Sequence, residues 1–280
     1  MKEALYYEKR EQGVQCFLCP HYCNIHEGHT GLCCVRKNIE DVLYTLNYGK
    51  ITSMHADPVE KKPLHYFMPG TYTFSIGSFG CNLSCPFCQN YTISKGNPKS
   101  YDYTPQDIVT LALKEQLPSI SYTYSEPLIF YEYMLDTAVI AKKNGLKNIV
   151  VTNGYINPEP LHALIPSIDA MNIDLKTYDD TIYKKKLKGS LQPVLNTIET
   201  AIKHCHVEVT MLIVPGISDD LKKIEEAAIR LSEMDKNIPL HLSRYFPRYR
   251  YNEPPTELSL LQQAYDACKK HLKTVITGNV

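Results

Sequence analysis

The run Gly80-Cys81-Asn82-Leu83-Ser84-Cys85-Pro86-Phe87-Cys88-Gln89-Asn90 sets three thiols in one short loop. Three thiolates hold three corners of a [4Fe–4S] cube, whereas an ordinary fully liganded cluster uses four. The remaining iron is then an open coordination site. Such an iron can chelate the amino and carboxylate groups of the methionine part of S-adenosylmethionine (SAM), which brings the cluster's electron close to the sulfonium. Cleavage of the carbon–sulfur bond gives a 5′-deoxyadenosyl radical able to abstract hydrogen from a substrate. In that chemistry the cofactors react and the protein aims them. Two plainer readings compete: a zinc site, and an electron-transfer cluster that borrows a fourth cysteine. Zinc sites usually pair one Cys-x-x-Cys unit with another, and no second pair lies close by.

A second set of thiols, Cys16-x2-Cys19-x3-Cys23-x9-Cys33, has the ligand count of a small metal knuckle, with Gly28 and Gly31 available for tight turns. Zinc and an auxiliary iron–sulfur cluster both remain open, as do free structural thiols. His21, His26 and His29 add further ligand types, and Cys34 is a spare. Cys205 and Cys268 stand alone in apolar helical patterns, where a thiol behaves as a small hydrophobe.

The elements that must carry these loops are readable from about Tyr72 onward, where short β-rich runs alternate with amphipathic helical patterns. Strands are predicted at 73–78, 120–124, 148–152, 170–174, 206–214 and 239–243, with a last run near Val275. Helices are predicted at 104–117, 129–144, 191–204, 219–234 and 257–270. Thr104-Pro105-Gln106-Asp107 reads as an N-cap, a proline in the first turn and an acid to meet the helix dipole. Six β-α units predict an α/β fold that is either a partial barrel or a doubly wound sheet, with its site at the C-terminal ends of the strands. The three-cysteine loop follows directly on the first of those strands. The Pro-rich turn from Lys61 to Gly70 is the expected boundary between an N-terminal Cys-rich segment, 1–68, and a catalytic unit, 69–280.

The whole chain constrains the setting. Its 280 residues, 44% hydrophobic and 21% charged, suit a folded domain with a sizeable core. Thirty basic residues balance 30 acidic ones, which leaves no global field to draw nucleic acid or an anionic membrane. The run Lys184-Lys185-Lys186-Leu187-Lys188 reads as a solvated helix face. No long apolar stretch and no apolar N-terminal core are present, so a cytoplasmic protein without membrane or nucleic-acid partners is expected. In that reducing setting clustered cysteines favour metal over disulfides.

The Cys-x3-Cys-x2-Cys pattern, with Phe87 just before its last cysteine, resembles the signature of the radical SAM superfamily. More closely, the chain resembles the pyruvate formate-lyase activating enzyme-like branch. Its N-terminal cysteines, Asp57-Pro58-Val59-Glu60-Lys61-Lys62-Pro63-Leu64, Phe67-Met68-Pro69-Gly70 and Gly80 through Asn90 are similar to the AmmeMemoRadiSam-system radical SAM enzymes. The resemblance implies a partial (β/α)6 TIM-like barrel of the radical SAM type with an N-terminal Cys-rich metal-binding segment. It implies a [4Fe–4S] cluster on Cys81, Cys85 and Cys88, and SAM contacts from Asn90, Ser125, Glu126, Asn153, Asp174 and Lys176. Tyr124-Ser125-Glu126-Pro127 stands where relatives carry a Gly-Gly-Glu-Pro-like turn, and Val214-Pro215-Gly216 resembles a turn near the adenosine. His241, Arg244, Tyr245 and Arg248 are candidates for binding an anionic substrate group. Expected partners are a low-potential electron donor of the flavodoxin or ferredoxin class and a protein, peptide or small-molecule substrate, with the enzyme a monomer. Two alternatives stand beside this oxidoreductase: a glycyl-radical enzyme activase, and an iron–sulfur or zinc module that never cleaves SAM. Activators commonly carry an acid before the Thr-Asn-Gly run, and here that residue is Val151. Relatives often continue beyond the point where this chain ends, so a C-terminally shortened chain is one expectation.

Overall fold

The architecture is that of a computed structural model describing residues 1–280. Seven strands follow one another around a single curved sheet: β1 (Tyr72–Gly77), β2 (Ser119–Tyr122), β3 (Lys147–Thr152), β4 (Ala170–Asp174), β5 (His206–Ile213), β6 (Leu240–Arg244) and β7 (Val275–Gly278). Each pairs in parallel with its sequence neighbour, the shortest route a chain can take between right-handed crossovers. An additional strand, Ser53–Pro58, runs antiparallel along β1, from Ser53 opposite Gly77 to Pro58 opposite Tyr72. It and β7 form the two edges and do not meet, so the barrel is open. The expected partial α/β barrel is therefore present. The expected division at residue 68 is crossed by the sheet itself, because Ser53–Pro58 lies before it and pairs along all of β1.

The helices α1 (Pro105–Lys114), α2 (Tyr131–Lys143), α3 (Pro158–Leu164), α4 (Leu191–Ala201), α5 (Leu221–Met234) and α6 (Leu258–Lys269) occupy the connections. Their apolar stripes face the strands at helical spacing: Val194, Leu195, Ile198 and Ala201 on α4, and Ile224, Ala227, Ala228 and Leu231 on α5, are all buried. At the start of α1 the Thr104 hydroxyl accepts from the Asp107 N–H at 3.2 Å, and the Asp107 carboxylate accepts from the Thr104 N–H at 2.8 Å. This reciprocal cap fixes where the helix begins.

Strands buried on both faces normally read as aliphatic runs, yet here several lumen-facing positions are polar. Asn172 on β4 and Thr210 on β5 exchange hydrogen bonds of 2.9 and 3.1 Å. Thr73 and Ser121 pair at 2.8 Å across β1 and β2. The segment after Ser53–Pro58 enters this polar lumen and plugs its lower half. Asn172 donates to the Pro63 carbonyl at 2.9 Å, and the buried Glu208 carboxylate accepts the N–H groups of His65 at 3.1 Å and Tyr66 at 2.8 Å. Leu64 packs on Val59, Ile149 and Ala170. His206 and His241 complete the Glu208 site at 2.9 and 2.6 Å.

The N-terminal region folds as two small three-stranded antiparallel sheets. One contains Lys2–Glu3, Val42–Thr45 and Arg36–Ile39; the other contains Tyr7–Arg10, Gly13–Cys16 and Asn24–Ile25. The region is tied to α2 by the buried ion pair Arg36–Glu132, whose carboxylate also accepts the Leu5 N–H at 2.8 Å.

Candidate active site

β1 ends at Gly77, and the chain turns through Gly80 into the three-cysteine loop. Gly80 has φ 93, and a Cβ there would stand 2.7 Å from both the Cys33 carbonyl oxygen and the Val35 side chain. Only glycine satisfies that conformation and that approach together. Beyond it the loop is held at both ends by backbone bonds, from the Ser84 N–H to the Leu187 carbonyl at 2.8 Å and from the Arg250 N–H to the Pro86 carbonyl at 3.0 Å. Leu83 and Phe87 are buried in it as anchors, and with them Cys81, Cys85 and Cys88 line a cavity of about 520 Å³.

That cavity lies at the C-terminal ends of the strands and gathers the expected cluster and SAM-contact positions. Asn90, Ser125 and Glu126, Asn153, and Asp174 with Lys176 all line it beside the cysteines. Asn90 donates to the Tyr124 carbonyl at 2.6 Å, which joins the end of the cysteine loop to the β2 turn. Tyr124 itself has φ 71 and fits only because Gly77 offers no side chain, since a Cβ there would meet its ring at 2.8 Å.

Glu126 follows. Its carboxylate accepts the Thr152 hydroxyl at 2.6 Å and the N–H groups of Asn153 at 2.8 Å and Leu128 at 3.0 Å. Burial pushes this carboxyl up to about 7, and those three donors oppose the shift. As a carboxylate it suits an ammonium group. Glu126 caps the short helical turn Pro127–Ile129; the Ser125 hydroxyl is buried without a protein partner.

Asp174 and Lys176 project from the end of β4 and pair at 2.7 Å. Burial alone would depress the Lys176 ammonium, but Asp174 and the neighbouring Cys85 outweigh it and hold it charged well above its ordinary value.

The donor set suits an iron–sulfur cube with one open corner. Cys81 Sγ accepts the Leu83 N–H at 3.4 Å and the Asn153 amide at 3.7 Å, the kind of N–H···S contacts that orient thiolate ligands. Asn153 is fixed in turn by the Asn82 side chain at 2.9 Å. Burial raises the Cys81 thiol and pushes Cys85 up to about 11, so loading with iron must drive off protons. The lining includes no fourth cysteine and no histidine.

The candidate anion-binding residues go elsewhere. His241 is buried against Glu208 and edge-on to His65 at 5.0 Å. Arg244 donates to the Thr256 carbonyl at 2.8 Å and stacks over Phe246 at 5.0 Å. Tyr245 is buried with its hydroxyl on the Tyr251 carbonyl at 2.7 Å, and Arg248 pairs through its backbone with Tyr251. None of the four lines the cavity. Their residue types suggested anion binding, while packing around β6 and the loop after it uses them structurally.

The cavity instead draws on Lys61, Lys62, Thr210 and Ser243, which residue-type reasoning did not single out. Lys62 is 3% exposed and pairs with Asp57 at 2.6 Å; Asp57 also accepts from Lys61 at 2.9 Å and from the Tyr124 hydroxyl at 2.6 Å. The signal was present in the stretch Asp57-Pro58-Val59-Glu60-Lys61-Lys62, which carries two cations in a turn that the plug drives up into the lumen.

Similarity to known proteins agrees with this geometry. An uncharacterised protein of Methanocaldococcus jannaschii is 46% identical over the whole of this chain and 86% of its own length. A putative glycyl-radical enzyme activating enzyme of the same organism is 25% identical, across 72% of this chain and 87% of that protein. Among solved structures, Streptococcus suis SuiB bound to S-adenosylmethionine shares the fold with a TM-score of 0.58 at 14% identity, over 79% of this chain and 53% of SuiB. The model of the radical SAM superfamily matches residues 75–228, from within β1 into α5, and so takes in the cysteine loop and the strand ends that face it. The chain belongs to the radical SAM superfamily.

Proposed function

We propose that this protein cleaves SAM reductively at a [4Fe–4S] cluster on Cys81, Cys85 and Cys88, yielding a 5′-deoxyadenosyl radical that abstracts hydrogen from a protein, peptide or small-molecule substrate. The observation that carries the reading is the cavity's sulfur count: three half-buried thiols, no further cysteine or histidine, and beside them an acid and an ion pair suited to an amino acid. The chain's own part is binding and aim. Glu126 receives the ligand's ammonium, and Lys176, held charged by Asp174, faces its carboxylate. Asn153 steadies Cys81 while Asn90 holds the β2 turn closed over the same pocket. Thr210, Ser243, Lys61 and Lys62 face the remaining space and favour a polar, anionic substrate.

A flavodoxin or ferredoxin would supply the electron. Cys16, Cys19, Cys23 and Cys33, which line one small pocket, would hold a second metal group. A glycyl-radical substrate is less favoured, because the cavity wall before Thr152 is Val151 and offers no carboxylate for an activator's cation.

Anaerobic reconstitution with iron and sulfide, followed by dithionite and SAM, tests the proposal. 5′-Deoxyadenosine and methionine should form, and Cys85→Ala should abolish both. A wild-type protein that binds zinc in this loop, or iron without SAM cleavage, would refute it.

A further inference from the structure

Outside the main cavity the fold encloses another ring of thiols. Cys16, Cys19, Cys23 and Cys33 line one small buried pocket together with Arg36 and Ile129. Cys16 and Cys33 are 6% and 8% exposed. Burial pushes the Cys33 thiol up to about 11, opposed by the N–H groups of Val35 and Arg36; burial also raises Cys19, opposed by the N–H of His21. In both cases an amide two residues beyond the cysteine serves its sulfur, as Leu83 serves Cys81. Cys34, with φ 64, supplies the left-handed step that lets the chain wrap Cys33 in this way.

We propose that this pocket holds its own [4Fe–4S] cluster, ligated by Cys16, Cys19, Cys23 and Cys33 and therefore closed to SAM. Two observations separate it from a zinc knuckle. No three cysteine, histidine, aspartate or glutamate side chains in the chain stand close enough to share one ion. The same is true of Cys81, Cys85 and Cys88, whose superfamily occupant is a four-iron cube.

The second is Arg36, 1% exposed. It donates to Cys16 Sγ at 3.6 Å, while its Nε has no protein partner. A buried donor without an acceptor is costly; the inorganic sulfides of a cluster would add acceptors beyond the four thiolates, which are all that a zinc site offers.

Four cysteines leave no open iron, so the group's chemistry is one-electron transfer: one electron in from a low-potential carrier and one out, with no bond made or broken. The pocket is well placed for that. Gly80, the residue before Cys81, is packed on Cys33 and Val35, and His21 bonds the Asn82 carbonyl at 2.7 Å, so one layer of residues separates the two sets of thiols.

The test is metal counting, which is independent of SAM turnover. The full chain and a Cys81→Ala/Cys85→Ala/Cys88→Ala variant are reconstituted anaerobically with iron and sulfide and analysed for iron, sulfide and zinc. About eight irons in the full chain and about four in the variant support the proposal, as does a dithionite-reduced paramagnetic resonance signal in the variant that SAM leaves unmoved. About four irons in the full chain with none in the variant, or one zinc in place of iron in the variant, overturns it. If circular dichroism shows the variant unfolded, the full-chain count of eight or four still decides.

Discussion

Glu126 accepts from three hydrogen-bond donors, and burial pushes its carboxyl up to about 7 from an ordinary 4.5. Because the folded value is raised, the stability linked to its proton is complete below about pH 4.5 and lost as the pH rises through 7. The ligand-free protein should thus lose melting temperature across that window. SAM binding should change in the opposite sense, tightening from pH 6 to 8 as the carboxylate ionises to meet the ammonium. Glu126→Gln should flatten both profiles and weaken binding by about 1.5–3 kcal/mol, the range for a hydrogen bond to a charged group; equilibrium dialysis and thermal melts measure the two. At this scale the sequence was informative wherever chemistry is local. Three cysteines in one loop stand out by spacing alone, and the acid, amide and ion pair that join them in the cavity sit at or just after strand ends. His241, Arg244, Tyr245 and Arg248 were opaque because residue type does not tell which neighbour a side chain meets, and Thr256, Tyr251 and Glu208 claim three of them.

Among elements, the parallel strands and the long helices were legible because their apolar periodicity runs for several turns or strand residues. The pieces that were not have reasons of their own. Ser53–Pro58 reads Ser-Met-His-Ala-Asp-Pro, a composition poor in strand formers, and is a strand only because the edge of β1 is there to pair with. Pro158–Leu164 has seven residues and two prolines, and Tyr7–Arg10 exposes most of its side chains. Two predictions belong here. Gly80→Ala should destabilise the apoprotein by roughly 1–3 kcal/mol from its forbidden φ and overpacking against Cys33, and should lower iron uptake; denaturant titration and iron analysis check both. Glu208 anchors the plug and is held down to about 2 by its four donors despite its burial. Its contribution to stability is present above about pH 4.5 and lost as the pH falls towards 2. Glu208→Gln should remove most of that acid-labile stability at pH 7, roughly 3–5 kcal/mol, and open residues 59–68 to limited proteolysis.

Over the whole molecule, two regions share one core, with Arg36 and Glu132 buried between them at 1% exposure or less on each side chain. Removing one charge strands the other in a dry interface. Glu132→Ala should cost about 3–5 kcal/mol and split a single unfolding transition into two, with the N-terminal sheets melting first by calorimetry. The plugged lumen has a different consequence, and it concerns traffic. With Leu64 and its neighbours filling the lower barrel, every molecule that visits the cavity must use the mouth above the strand ends. A chamber with a single doorway imposes a queue: whatever lies deepest, towards Lys62 and Thr210, enters first and leaves last. Turnover by this protein should therefore be ordered, and spent fragments near the entrance must clear before the deeper guest can be exchanged.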